Sequence, residues 1–176
     1  MTAETPAAKA VALLLTRRET VASAESLTGG LVADAFVTVP GTSGVYRGGV
    51  VAYSTRLKHE LLGVDADLLE TKGAVDPEVA LQMAAGARKR LRTTWGVATT
   101  GVAGPDSQDG VPPGVVFVAV DGPGGSRVAR HDLTGDREQV RAGATARAIE
   151  LLLSQVRSAA DDSGDRTAEQ PGVAGR

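Results

Sequence analysis

Cysteine is missing from this chain of 176 residues. Disulfides, thiolate metal sites and a cysteine nucleophile are excluded with it. Histidine occurs only at His59 and His131, and two isolated imidazoles make no metal site. Aromatic residues are 3% of the sequence and the formal net charge is -2. With no basic stripe interleaved with aromatics, nothing argues for nucleic acid. The apolar segment Ala10–Leu15 is too short to span a bilayer. Met1–Pro6 lacks the charged region and apolar core of a signal peptide. The expectation is a cytoplasmic protein whose partners include neither nucleic acid nor membrane, and which needs no metal or cofactor.

Glycine, alanine and valine are abundant instead. Small and branched residues suit helices packed closely on a sheet, and the length fits one domain with a proper core. Pro6–Arg18 is helical, with Ala7, Ala10, Val11, Leu14 and Leu15 on one face. Thr20–Ala24 reads as a buried strand. Leu31, Val32, Ala35, Phe36 and Val39 follow at helical spacing, ending at Pro40-Gly41. A strand over Tyr46–Tyr53 precedes two short helices, Thr55–Leu62 and Asp65–Lys72. The capping signal Asp76-Pro77-Glu78 opens a helix to about Arg92, whose basic last turn reads as a solvated helix end. Strands follow at Trp95–Thr100, Val115–Val120 and Arg127–Leu133, the last two joined as a hairpin. Gly135-Asp136-Arg137 opens a final helix to about Val156.

Helices alternate with strands up to Thr100, which predicts parallel strands, and the late hairpin makes the sheet mixed. The fold expected is a three-layer α/β/α sandwich with a mixed, mostly parallel sheet over residues 1–157. The polar, aperiodic residues 158–176 are expected to be a disordered tail.

Ligands of such sheets bind outside the carboxyl ends of the strands. Three segments converge there. Ala22-Ser23-Ala24-Glu25-Ser26-Leu27-Thr28-Gly29-Gly30 forms a strand–turn–helix unit with Ser26 at the turn. A serine there can be a nucleophile beside free backbone N–H groups; equally, Ser26 or Thr28 can simply cap the helix while Gly29 and Gly30 permit the turn. Tyr53 ends a strand and Lys58 lies one turn into the next helix, so both reach the same edge. A desolvated lysine can act as a base near neutral pH. Alone, each also fits a packing tyrosine and a surface lysine. Thr100-Gly101-Val102-Ala103-Gly104-Pro105 lets a ligand approach the backbone, and no Walker lysine follows it. Arg137 and Arg141, one helical turn apart, suit a phosphate or form a surface pair. His131 lies within a strand, and Ser26 lacks the glycine-flanked elbow of a histidine triad.

These pieces in this order resemble the CinA carboxy-terminal domain family and its stand-alone nicotinamide-nucleotide amidohydrolases. The resemblance rests on Ala24–Gly30, Val39–Ser43, Val50–Ser54 with Lys58, Gly73–Val75 before the Asp76 cap, Thr100–Pro105 and Gly135–Arg137. It extends from about Val11 to Val156, without the additional amino-terminal domain of longer members. Position 27 is Leu where the family often has Cys. The loop Asp106–Gly114 departs from the usual glycine-pair, lysine-proline-valine-glycine pattern.

The resemblance implies hydrolysis of the carboxamide of nicotinamide mononucleotide to nicotinate mononucleotide and ammonia. Ser26 would be the nucleophile, with Lys58 and Tyr53 as its proton partners. Candidate substrate contacts are Thr28, Gly29, Gly30, Thr100, Gly101, Gly104, Arg137 and Arg141, an arginine of the last helix meeting the phosphate. Two other functions stay open: a nucleotide- or protein-binding module without turnover, and a serine hydrolase of another small amide or ester. Little exposed charge on several helices is compatible with a homo-oligomer.

Overall fold

The computed structural model describes residues 5–165. Five strands form one sheet: β1 (Val21–Glu25), β2 (Tyr46–Val51), β3 (Trp95–Gly101), β4 (Val115–Gly122) and β5 (Gly125–Asp132). Their order is β2-β1-β3-β4-β5. β1 pairs parallel with both β2 and β3, and the pairs β3/β4 and β4/β5 are antiparallel. Four strands therefore point one way and β4 alone runs against them. The six helices of the described residues are α1 (Pro6–Arg17), α2 (Leu31–Val37), α3 (Thr55–Leu62), α4 (Ala66–Lys72), α5 (Pro77–Leu91) and α6 (Arg137–Asp165).

Alternation along the strands sorts side chains into two cores. Val21, Val97, Val116, Val118 and Val120 face α1, α2 and α6, meeting Leu14, Phe36, Val140 and Leu152. Ala22, Ala24, Ala98 and Ala119 face the other way, meeting Val79, Ala80, Met83, Ala84 and Ala87 of α5 and Leu62 of α3. The second face is built of small residues because α5 lies very close to the sheet. A methyl group on Gly96 would sit 2.0 Å from the Ala84 carbonyl oxygen, and one on Gly86 would sit 2.0 Å from that of Leu62. The abundance of alanine and glycine noted in the sequence thus follows from this approach.

Two elements end differently from expectation. α2 stops at Val37, and Thr42–Gly44 forms a short 3-10 turn before β2. α6 continues to Asp165, well past Val156. The expected tail is corrected over 158–165: no breaker interrupts the ladder there until Gly164, and Ser158 Oγ donates to the Ser154 carbonyl (3.2 Å) as in a regular helix. The remainder of the expected tail, and residues 1–4 of the segment weighed as a leader, lie outside the described residues. Among the described residues no helix is long and apolar enough to cross a membrane.

Candidate active site

The carboxyl ends of β1, β2 and β3 open on one cavity of about 330 Å³. Ser26 and Leu27 line it from the turn after β1, Tyr53 from just beyond β2, Thr100 and Gly101 from the end of β3, Val102 to Gln108 from the loop that follows, Ala74 and Val75 from the α4–α5 connection, and Arg137 from the start of α6. Ser26 is buried except toward this space. Lys58 reaches Ser26 from α3, beneath the cavity, carried there because Ser54 starts that helix soon after β2.

Lys58 is 1% exposed. Its Nζ donates to Ser26 Oγ (2.9 Å), the Ala52 carbonyl (2.8 Å) and, at greater length, the Tyr53 carbonyl (3.4 Å). Burial pulls its pKa down from 10.5 to about 8, because desolvation penalises the charged ammonium. No carboxylate pairs with it among the described residues. In the neutral amine, the two carbonyls engage the remaining hydrogens and the lone pair faces the Ser26 hydroxyl. That is a serine with a base already aligned.

The turn itself is shaped by a residue sequence reasoning passed over. Glu25 is 1% exposed, and its carboxylate collects five donors. Oε2 accepts from Thr28 Oγ1 (2.8 Å) and from the N–H groups of Gly30 (2.9 Å) and Val32 (3.0 Å). Oε1 accepts from the Ala33 N–H (2.9 Å) and Ser23 Oγ (3.2 Å). Gly30, the cap of α2, has no side chain to cap with, so Glu25 caps the helix from the preceding strand. A lone acid in a run of small residues immediately before a helix without its own cap was the available signal.

This occupies donors that were expected to face a ligand. The α2 terminus is neutralised by Glu25. The Thr28 hydroxyl is engaged by Glu25 and by Thr99 Oγ1 (2.8 Å). Gly29 N–H donates to the Ser26 carbonyl (3.1 Å). Gly29 and Gly30 sit at φ +59° and +106°, so they make the turn and are not aimed at substrate. Ser26 N–H is bound to the Thr99 carbonyl (3.0 Å). The N–H groups of Leu27 and Thr28 have no acceptor among the described residues; Thr28 is fully buried, whereas Leu27 lines the cavity and offers the donor available for an oxyanion.

Of the other expected site residues, Thr100, Gly101, Gly104 and Arg137 line the cavity. Thr100 Oγ1 donates to the Ala74 carbonyl (2.6 Å), which fixes the cavity wall. Arg137 bridges the mouth, donating to the Gly104 carbonyl (2.7 Å) and to Tyr53 Oη (3.0 Å). Tyr53 is 60% exposed. Lys58 touches Ser26 directly, whereas the Tyr53 phenol lies at the cavity mouth on Arg137. Arg141 is corrected as a cavity residue. Its guanidinium is turned to the backbone of the Ser26 turn, with Nε on the Leu27 carbonyl and a terminal nitrogen on the Thr28 carbonyl, both at 2.9 Å. His59 and His131 stand apart; His59 Nδ1 meets the Val64 carbonyl (2.7 Å) beyond the end of α3.

The class this arrangement defines is an α/β domain with a mixed sheet flanked by helices on both faces and a buried serine–lysine contact at the sheet's carboxyl edge. The chain belongs to the CinA C-terminal domain family, whose model matches residues 3–156. It is 46% identical over 140 residues to a CinA-like protein of Frankia casuarinae, covering 80% of this chain and 32% of that protein. It is 47% identical over 148 residues to one of Anaeromyxobacter, covering 84% and 36%. The chain thus spans about a third of the length of the curated relatives it matches. The crystal structure of a competence-damaged protein (CinA) superfamily member from Klebsiella pneumoniae superposes with a TM-score of 0.84 at 30% identity, covering 87% of this chain and 96% of that one. One from Agrobacterium tumefaciens, described as competence/damage inducible, gives 0.78 at 33% identity, covering 85% and 94%.

Proposed function

We propose that the protein is an amidohydrolase that removes the amide nitrogen of nicotinamide mononucleotide through an acyl-enzyme on Ser26. The observation that carries this reading is the 2.9 Å contact between Ser26 Oγ and a buried, unpaired Lys58. Neutral Lys58 takes the Ser26 proton as Oγ attacks the carboxamide carbon. The carbonyl oxygen becomes an oxyanion held by the Leu27 N–H. The C–N bond then breaks, and ammonia leaves with the proton returned by Lys58. Water attacks the acyl group, again giving its proton to Lys58, and nicotinate mononucleotide departs as Ser26 is restored.

Substrate size and charge fit this scheme. A cavity of about 330 Å³ admits a mononucleotide. Arg137 is the cation among the residues lining it, and its place at the mouth suits a phosphate at the far end from the carboxamide.

The experiment is to incubate purified protein with nicotinamide mononucleotide and follow ammonia. Release that disappears in Ser26→Ala supports the amidohydrolase and its nucleophile together. Tight binding with no release, read by calorimetry, makes the domain a nucleotide-binding module instead. Release that survives Ser26→Ala removes Ser26 from the reaction.

A further inference from the structure

Arg141 is a half-buried cation with no carboxylate partner among the described residues. It spends its donors on two consecutive carbonyls, those of Leu27 and Thr28. The peptide group is planar and trans, so each C=O is rigidly opposed to the N–H of the following residue. Holding the Leu27 carbonyl therefore fixes where the Thr28 N–H points. Holding the Thr28 carbonyl fixes the Gly29 N–H, which donates to the Ser26 carbonyl (3.1 Å). That bond in turn fixes the plane containing the Leu27 N–H. Three successive peptide planes after Ser26 are thus locked, two by Arg141 directly and one through Gly29. The two N–H groups left without acceptors are on the locked planes. A cation bound to a carbonyl also polarises its amide, strengthening the N–H at the other end as a donor.

We propose that Arg141 is a positioning residue for hydrolysis, aiming and polarising, through the Thr28 carbonyl and the Gly29 N–H, the Leu27 N–H that receives the oxyanion. This rests on the acyl-enzyme reading above. It separates the two arginines of α6: Arg137 at the mouth meets the substrate, whereas Arg141 beneath the turn acts only through the backbone. The distinction has a kinetic signature. A phosphate ligand contributes to binding in both ground and transition states, so its loss raises KM. Loss of oxyanion alignment lowers kcat with KM preserved.

The test uses Arg141→Ala and Arg141→Lys beside the wild type, with two readouts. One is steady-state kinetics on nicotinamide mononucleotide. The other is the rate at which a fluorophosphonate labels Ser26: Oγ bonds to phosphorus, fluoride leaves, and Lys58 takes the hydroxyl proton. The phosphonyl oxygen occupies the oxyanion position, and this probe carries no nucleotide. Arg141→Ala is expected to lose about 10- to 100-fold in both kcat and labelling rate, with KM within about threefold. Arg141→Lys, with one donor group in place of the fork, should fall between the two. Unchanged labelling in Arg141→Ala, or a loss confined to KM, overturns the proposal. Should the alanine variant not fold, labelling by the lysine variant at a wild-type melting temperature decides alone: a rate within about twofold of wild type overturns it. A wild type that the probe does not label overturns the acyl-enzyme reading and this inference with it. A wild type that is labelled but leaves nicotinamide mononucleotide intact overturns only the substrate, and the labelling ratios still decide the role of Arg141.

Discussion

Lys58 is the residue on which pH acts. Its amine must be neutral to take a proton, and burial has brought its pKa to about 8. Activity should therefore rise with pH and level off above this value, standing near a tenth of its maximum at about pH 7. A flat profile of kcat/KM between pH 6 and 9 would contradict the role. Stability follows the same group with a definite sign. The unfolded chain holds the lysine proton up to the ordinary 10.5, and the folded chain releases it near 8. Between these values the unfolded state binds more protons, so stability rises with pH. The cost of burying Lys58 is full below pH 8 and vanishes above 10.5. Thermal unfolding compared with Lys58→Met should show the wild type gaining on the variant across that window. The meeting of Ser26 and Lys58 was legible in the sequence because the turn after one strand and the first turn of the helix after its neighbour open at the same sheet edge. The role of Glu25 was not, since a buried acid that caps a helix from the strand before it has no fixed spacing.

At the scale of elements, most boundaries were legible because their signals are local. The Asp76-Pro77-Glu78 start holds, with the Asp76 side chain accepting from the Glu78 N–H (2.8 Å). Gly63 closes α3 in the left-handed conformation, as glycine permits. The end of α6 was illegible for the opposite reason: a polar stretch without a breaker continues a helix even when it has no apolar face to advertise. The closeness of α5 to the sheet was also hidden, because alanine and glycine say that contact is tight but not with what. Gly96 provides its test. A methyl there would collide with the Ala84 carbonyl, which is backbone and cannot rotate away. Gly96→Ala should therefore cost about 2–4 kcal/mol in urea unfolding. A change below about 0.5 kcal/mol would mean that α5 yields freely and that its packing is looser than described.

For the whole molecule, the site depends on both layers at once. Lys58 comes from the α3–α5 side, Arg137 and Arg141 from α6 on the other, and Ser26 from the sheet between. The two cores share β1, β3 and β4, whose alternate side chains fill one or the other, so neither layer has a sheet of its own. Met83→Ala on α5 and Leu152→Ala on α6 should each cost about 2–4 kcal/mol. Both residues are fully buried. Each variant should keep a single unfolding transition, and the double variant should show the sum within about 0.5 kcal/mol. Two separated transitions by circular dichroism and tryptophan fluorescence would show layers that unfold independently.

The connection from β3 to β4 is closed at its base. Val102 N–H donates to the Val115 carbonyl (3.0 Å), and Gly114 N–H returns to the Val102 carbonyl (2.8 Å). Everything between those two clasps can change length or composition while the strands below stay in register. The reaction centre, by contrast, is held by the short β1–α2 turn and the start of α3. Inheritance can thus revise the wall against which a substrate rests without disturbing the serine and lysine beneath it. Asp106, Ser107 and Gln108 of that loop line the cavity, so a library confined to Asp106–Gly114 would explore ligand preference on a constant scaffold.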